Sequence, residues 1–179
     1  MKRAVPRAAA SILSGIGSCA AALTLSACTA PPPALSYTVA VDPQFTTDQM
    51  DSITAGLNDW TAQVPELQIT SSIAPCGSPS PHYVCFQPAH DAPDPSDDVI
   101  GATTPGNDGS ATIRLYVDRI QATGWNVAAL TEQTAAHEMG HAMGLKHSSA
   151  HELMAPDVPD QASSVMPGDV AQFWAVRGQ

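Results

Sequence analysis

Five residues within eleven positions carry the chemistry most plainly: His137, Glu138, His141, Gly144 and His147. Side chains four apart share one helical face, so the imidazoles of His137 and His141 can point at one ion. Neutral imidazole is a good zinc ligand, and two on a rigid helix fix two coordination vertices. Glu138 is about 100° further round the wheel. That is too far to compete as a ligand, yet close enough to reach a water on the same ion. Gly144 can break the helix and turn the chain back, which brings His147 to the site. Three histidines leave a fourth vertex for water, the arrangement of a catalytic zinc rather than a structural one. The chemistry implied is hydrolysis by an activated water, with Glu138 as base. Met139 and Met143 read as ordinary core on the other face of that helix.

The elements that must position these residues are legible around them. The spacing predicts a helix from about Val127 to Met143, with Asn126 or Thr131 as possible caps and Gly144 at its end. Met50, Ile53, Leu57, Trp60 and Val64 fall at i+3 and i+4 steps and make a second amphipathic helix. Thr46 and Gln49 have capping-box spacing at its start, and Pro65 stops it. Tyr37–Val41 and Leu67–Ile73 are strand-like runs on either side, so this β–α–β opening implies a parallel pair. Val99–Thr104 and Ala111–Val117, joined through Asn107, Asp108 and Gly109, read as a hairpin. The stretch Pro75–Pro105 holds seven prolines together with Asp91, Asp94, Asp97 and Asp98. It reads as a long loop crossing the surface, with a strand around Tyr83–Phe86.

The run His137-Glu-Met-Gly-His141-Ala-Met-Gly144-Leu-Lys-His147 resembles the zinc signature of the metzincins, and Ser148 after it resembles the matrixin branch. Glu152-Leu-Met154-Ala-Pro156 is similar to that family's Met-turn, whose methionine floors the imidazoles. Pro167–Trp174 is similar to its closing helix, with Val170, Phe173 and Trp174 as the buried face. The resemblance implies an α+β catalytic domain over 36–179, with an upper part 36–147 and a lower part 148–179. Its mixed twisted sheet would have two long helices above the cleft, and the small lower subdomain would hold the closing helix. It implies a zinc endopeptidase with one catalytic zinc. The peptide would pair along the edge strand Val99–Thr104, and residues 156–166 would wall the pocket beyond the cleaved bond. Departures matter as well. The hairpin carries no histidine, and His82 and His90 alone cannot complete the second, structural zinc of many matrixins, so that site is expected to be absent. Pro156 stands where the astacin branch has a ligand tyrosine. Asp169 is expected to act as an acid at a helix N-terminus, and His151 as an exposed loop histidine. Calcium is a further candidate at Asp97, Asp98, Asp108 or Asp118, against the reading of scattered acids as solvated surface.

Two rival classes stand beside this one. A surface zinc-binding or adhesion domain without catalysis would lack a base, whereas Glu138 is present. A hydrolase of non-peptide amides would differ only in its pocket.

The first residues bear on compartment. Lys2, Arg3 and Arg7, then the uncharged run Ala8–Leu25, have the layout of a secretory signal over 1–27. Leu25-Ser-Ala-Cys28 resembles a bacterial lipobox, so Cys28 is expected to carry a lipid and residues 28–35 to form a spacer. The protein would then sit on the extracytoplasmic face of the membrane as a monomer; the alternative is a secreted form. Removing the three leading cations takes the formal net charge from −10 to −13, and only Arg114, Arg119, Lys146 and Arg177 remain as Lys or Arg. Nucleic acid is therefore not an expected partner. Cys76 and Cys85 are expected to form a disulfide, exported and close in sequence as they are. Pro75-Cys76-Gly77 also resembles the cysteine switch of matrixin propeptides. Cys76 comes after the first strands and helix, however, and only a short spacer precedes them, so the expectation is an enzyme active once folded.

Overall fold

The computed structural model describes residues 35–90, 99–149 and 151–179. The expected signal, the expected spacer up to residue 34, Cys28 and the acids Asp91, Asp94, Asp97 and Asp98 lie outside the described residues.

The first strand, β1 (Leu35–Val41), leads into helix α1 (Thr47–Gln63). The helix begins where Thr46 and Gln49 cap each other. The Gln49 amide donates to Thr46 Oγ1 at 3.3 Å, and the Thr46 amide donates to Gln49 Oε1 at 2.9 Å. Its apolar stripe is buried as the spacing predicts: Ile53, Leu57, Trp60 and Val64 lose nearly all their exposure. Val64 caps the C-terminus just before Pro65, whose ring is incompatible with a further turn. β2 (Leu67–Ile73) then returns parallel to β1, pairing Leu35 with Leu67 and Val41 with Ile73.

The sheet order is β2-β1-β3-β5-β4. β3 (Tyr83–Ala89) pairs parallel with β1 on one side and with β5 (Ala111–Tyr116) on the other. This corrects the reading of residues 75–105 as a surface loop with a strand in it. The strand is the centre of the sheet, with Val84 and Phe86 fully buried. A central parallel strand has both faces covered, so it lacks the alternation that marks a half-exposed strand. Cys76 and Cys85 are bonded to each other and tie the proline-rich approach to this strand. β4 (Gly101–Pro105) runs antiparallel to β5 and forms one edge of the sheet, with β2 at the other. The Gly106 amide closes the hairpin on the Ser110 carbonyl at 2.7 Å, and Gly109 supplies the positive φ of +81° that the turn needs.

β5 ends one residue earlier than predicted, because a short helix, α2 (Val117–Ala122), starts directly after it. α3 (Val127–Ala142) follows, and the carboxamide of Asn126 caps it by accepting from the Ala129 amide at 3.1 Å. α3 lies against α1, and Gly56 makes the approach possible. A Cβ there would stand 2.5 Å from the Glu132 carbonyl oxygen and 3.0 Å from the Ala136 nitrogen. Trp60, buried on α1, donates its indole N–H to the Ala136 carbonyl at 2.8 Å. The chain ends in a short 3₁₀ turn (Val158–Asp160) and α4 (Pro167–Ala175), with Phe173 buried and Val170 and Trp174 half-buried against the core.

Candidate active site

The site begins with how α3 ends. Gly144 has φ +93°. Its amide donates to the His141 carbonyl at 2.9 Å, and the Leu145 amide donates to the Gly140 carbonyl at 3.0 Å. These two bonds form a Schellman cap, which satisfies the last carbonyls while reversing the chain. The reversal carries His147 back over the helix end. The ring nitrogens Nε2 of His141 and His147 stand 3.2 Å apart. One nitrogen from each of His137, His141 and His147 falls within 4.8 Å of the others, the one such cluster among the described residues.

Two of the rings are locked from behind. His137 Nδ1 lies 2.8 Å from the Leu153 carbonyl, and His141 Nδ1 lies 2.9 Å from the Leu145 carbonyl. A carbonyl only accepts, so each Nδ1 carries the proton and each Nε2 keeps a free lone pair. Burial pushes the His137 imidazole down to about 4, against the pull of the Leu153 carbonyl and with smaller contributions from His141 and His147. Burial also lowers His147, helped by His141 and opposed by Asp157. Neutral rings are the form a metal needs. The 3.2 Å spacing is close to the edge, about 3.3 Å, of a tetrahedron with Zn–N of about 2.0–2.1 Å. The residues present therefore fit zinc. Asp108 and Asp118 form no comparable cluster: Asp108 accepts from the Ser110 amide, and Asp118 pairs with His90.

Glu138 is buried on α3 and opens on the same cleft as the histidines. Burial pushes its carboxyl up to about 7, opposed by a hydrogen bond from Thr103. The cleft, about 1040 Å³, runs between β4 and the segment Pro156–Gln161. His151 is exposed in its loop.

Beneath the histidines, Met154 is fully buried and its thioether packs on Gly140 of α3, where a Cβ would collide with it. Asp169, also fully buried, organises this turn. Its carboxylate accepts from the Leu153 amide at 2.9 Å, the Met154 amide at 3.1 Å and the Met166 amide at 2.9 Å. The helix-terminus role expected of Asp169 is thus present, but the larger part of its work is to brace the segment whose Leu153 carbonyl orients His137. That link spans sixteen residues and has no local signal. Gln161 carries no mark in the sequence, yet it donates to the Ala155 carbonyl at 2.8 Å and receives the Gln133 amide at 3.2 Å.

A family profile described as matrixin matches residues 34–173. No curated protein matches. Among solved structures the fold is similar to archaemetzincin from Methanopyrus kandleri, with a TM-score of 0.58 and 13% identity, over 84% of this chain and 99% of that one.

Proposed function

The chain belongs to the matrixin family of zinc metalloproteases, and from that premise we propose that it cleaves internal peptide bonds, with His137, His141 and His147 holding the zinc and Glu138 as general base. The observation that carries this reading is the convergence of three imidazole nitrogens beside a buried carboxyl in one open cleft. Zinc held there supplies Lewis acidity to the attacking water and the scissile carbonyl. Glu138 accepts the proton of that water and passes it to the leaving amine. A carboxylate can serve both halves of that transfer, as base and then, once protonated, as acid. Met154 and Asp169 keep the histidines in place from below. The substrate is proposed to lie extended along the open edge of β4, where backbone groups offer the pairing of an added strand. Pro156, Val158 and Gln161 line the far side of the cleft, which supports their assignment to the pocket beyond the cleaved bond.

The test is Glu138→Ala. The variant is expected to keep one zinc per chain by elemental analysis while hydrolysis falls by about 10²–10⁴. Turnover near the wild-type rate would remove Glu138 from the mechanism.

A further inference from the structure

Glutamate has three rotatable bonds, and a catalytic carboxyl on a helix surface needs something to choose among its rotamers. The edge strand supplies it. Gly101 and Thr103 are two apart on β4 and so share the face turned to α3. Gly101 leaves the room. A Cβ there would sit 2.7 Å from Thr134 Cγ2, 2.8 Å from Glu138 Oε1 and 2.9 Å from Glu138 Cγ. Thr103 closes the grip, with Oγ1 2.6 Å from Glu138 Oε2 and 2.9 Å from the Glu138 carbonyl oxygen.

We propose that Thr103 is a positioning residue for peptide hydrolysis, its hydroxyl holding the Glu138 carboxyl in place from the edge strand both before and after the carboxyl takes up a proton. The carboxyl has two oxygens, so Oε2 can stay with Thr103 while Oε1, beside Gly101, handles the proton. While Glu138 is ionised, Thr103 donates to Oε2, a short charge-assisted bond. Once the other oxygen, Oε1, carries the proton taken from water, Oε2 is the carbonyl oxygen of a neutral acid and still accepts from Thr103. Both atoms stay bonded in both states, so the carboxyl does not swing away between accepting the proton and returning it to the leaving amine. Among the described residues no other side chain donates to this carboxyl. The bond also joins the base to the strand along which the peptide is proposed to lie.

This inference rests on Glu138 being the base, and the experiment separates the two. Thr103→Val keeps shape and removes the hydroxyl; Thr103→Ser restores it. Valine is expected to lower kcat by about 10- to 100-fold. KM is expected to stay within about twofold because substrate contacts are untouched, and zinc content near wild type because no ligand is changed. Serine is expected to recover most of kcat. Thr103→Ala serves the same comparison where valine fails to fold. A valine variant within twofold of wild type, a serine variant as impaired as valine, or loss of zinc in step with kcat would each overturn the proposal. An active Glu138→Ala protein in the same assay would overturn the reading of Glu138 instead.

Discussion

Glu138 and His137 are adjacent, buried and pushed in opposite directions by the same cause. Desolvation raises the carboxyl from 4.5 to about 7 and lowers the imidazole from 6.5 to about 4, so both favour their neutral forms. In protein stripped of metal these shifts act oppositely on stability. Between about pH 4.5 and 7 the folded state holds the Glu138 proton more tightly than the unfolded state does, so that contribution is lost as pH rises. Between about pH 6.5 and 4 the unfolded state takes up the His137 proton first, so that contribution is lost as pH falls. Glu138→Gln isolates the first. In chelator, its stability relative to wild type is expected to climb by about 3 kcal/mol from pH 4.5 to 7, read from denaturant midpoints. Parallel curves for the two proteins would mean the carboxyl is not desolvated. The clustering of the three histidines beside Glu138 was legible in the sequence because they lie on a helix and its cap, where spacing alone sets direction. Thr103 was not, because its partner is 35 residues away across the strand–helix contact. The same holds for Asp169, whose acidity suggested only a helix terminus.

Among the elements, α1 carries more of the site than its distance from the chemistry suggests. Its capping box and apolar stripe were plain in the sequence, because both are local patterns. Its closeness to α3 was not. That contact turns on Gly56 lying under the Ala136 backbone one residue before the first histidine, with Trp60 bonded to the Ala136 carbonyl. Replacing glycine by alanine within a helix ordinarily stabilises it by about 0.5–1 kcal/mol. Here the added methyl would meet backbone, and Gly56→Ala is expected to destabilise by about 1–3 kcal/mol instead. Equilibrium unfolding decides the sign, and a more stable variant would show that the helices have room to spare. The position of β3 was the other element not legible. A prolyl, cysteine-bearing stretch reads as surface, and only the pairing with β1 and β5 reveals that its strand is the middle of the sheet. α2 went unseen because it starts on the residue after β5, with no turn residues between them.

At the scale of the molecule, charge sets what the cleft can attract. The chain has 17 acidic residues against 7 Lys and Arg, three of which lie within the first seven positions. Among the described residues no lysine or arginine lines the cleft, whereas Asp157 and Glu138 do. A zinc held in the cleft would offset these two acids locally. It is the acid excess of the whole protein that draws in cationic ligands, and salt weakens that attraction. Peptides with lysine near the cleaved bond are therefore expected to be cut several-fold faster than their glutamate counterparts at low ionic strength, by kcat/KM, with the gap narrowing in high salt. Equal rates, or a preference for glutamate, would mean the field does not reach the substrate.

The central claim, that this cleft cleaves internal peptide bonds with zinc held by His137, His141 and His147, is tested most directly by digesting a defined peptide library and identifying the products by mass spectrometry. Internal cleavage products are expected, disappearing when a chelator strips the protein and returning with one equivalent of zinc. A library left intact by the zinc-loaded protein, or one cut equally well by the stripped protein, would contradict it.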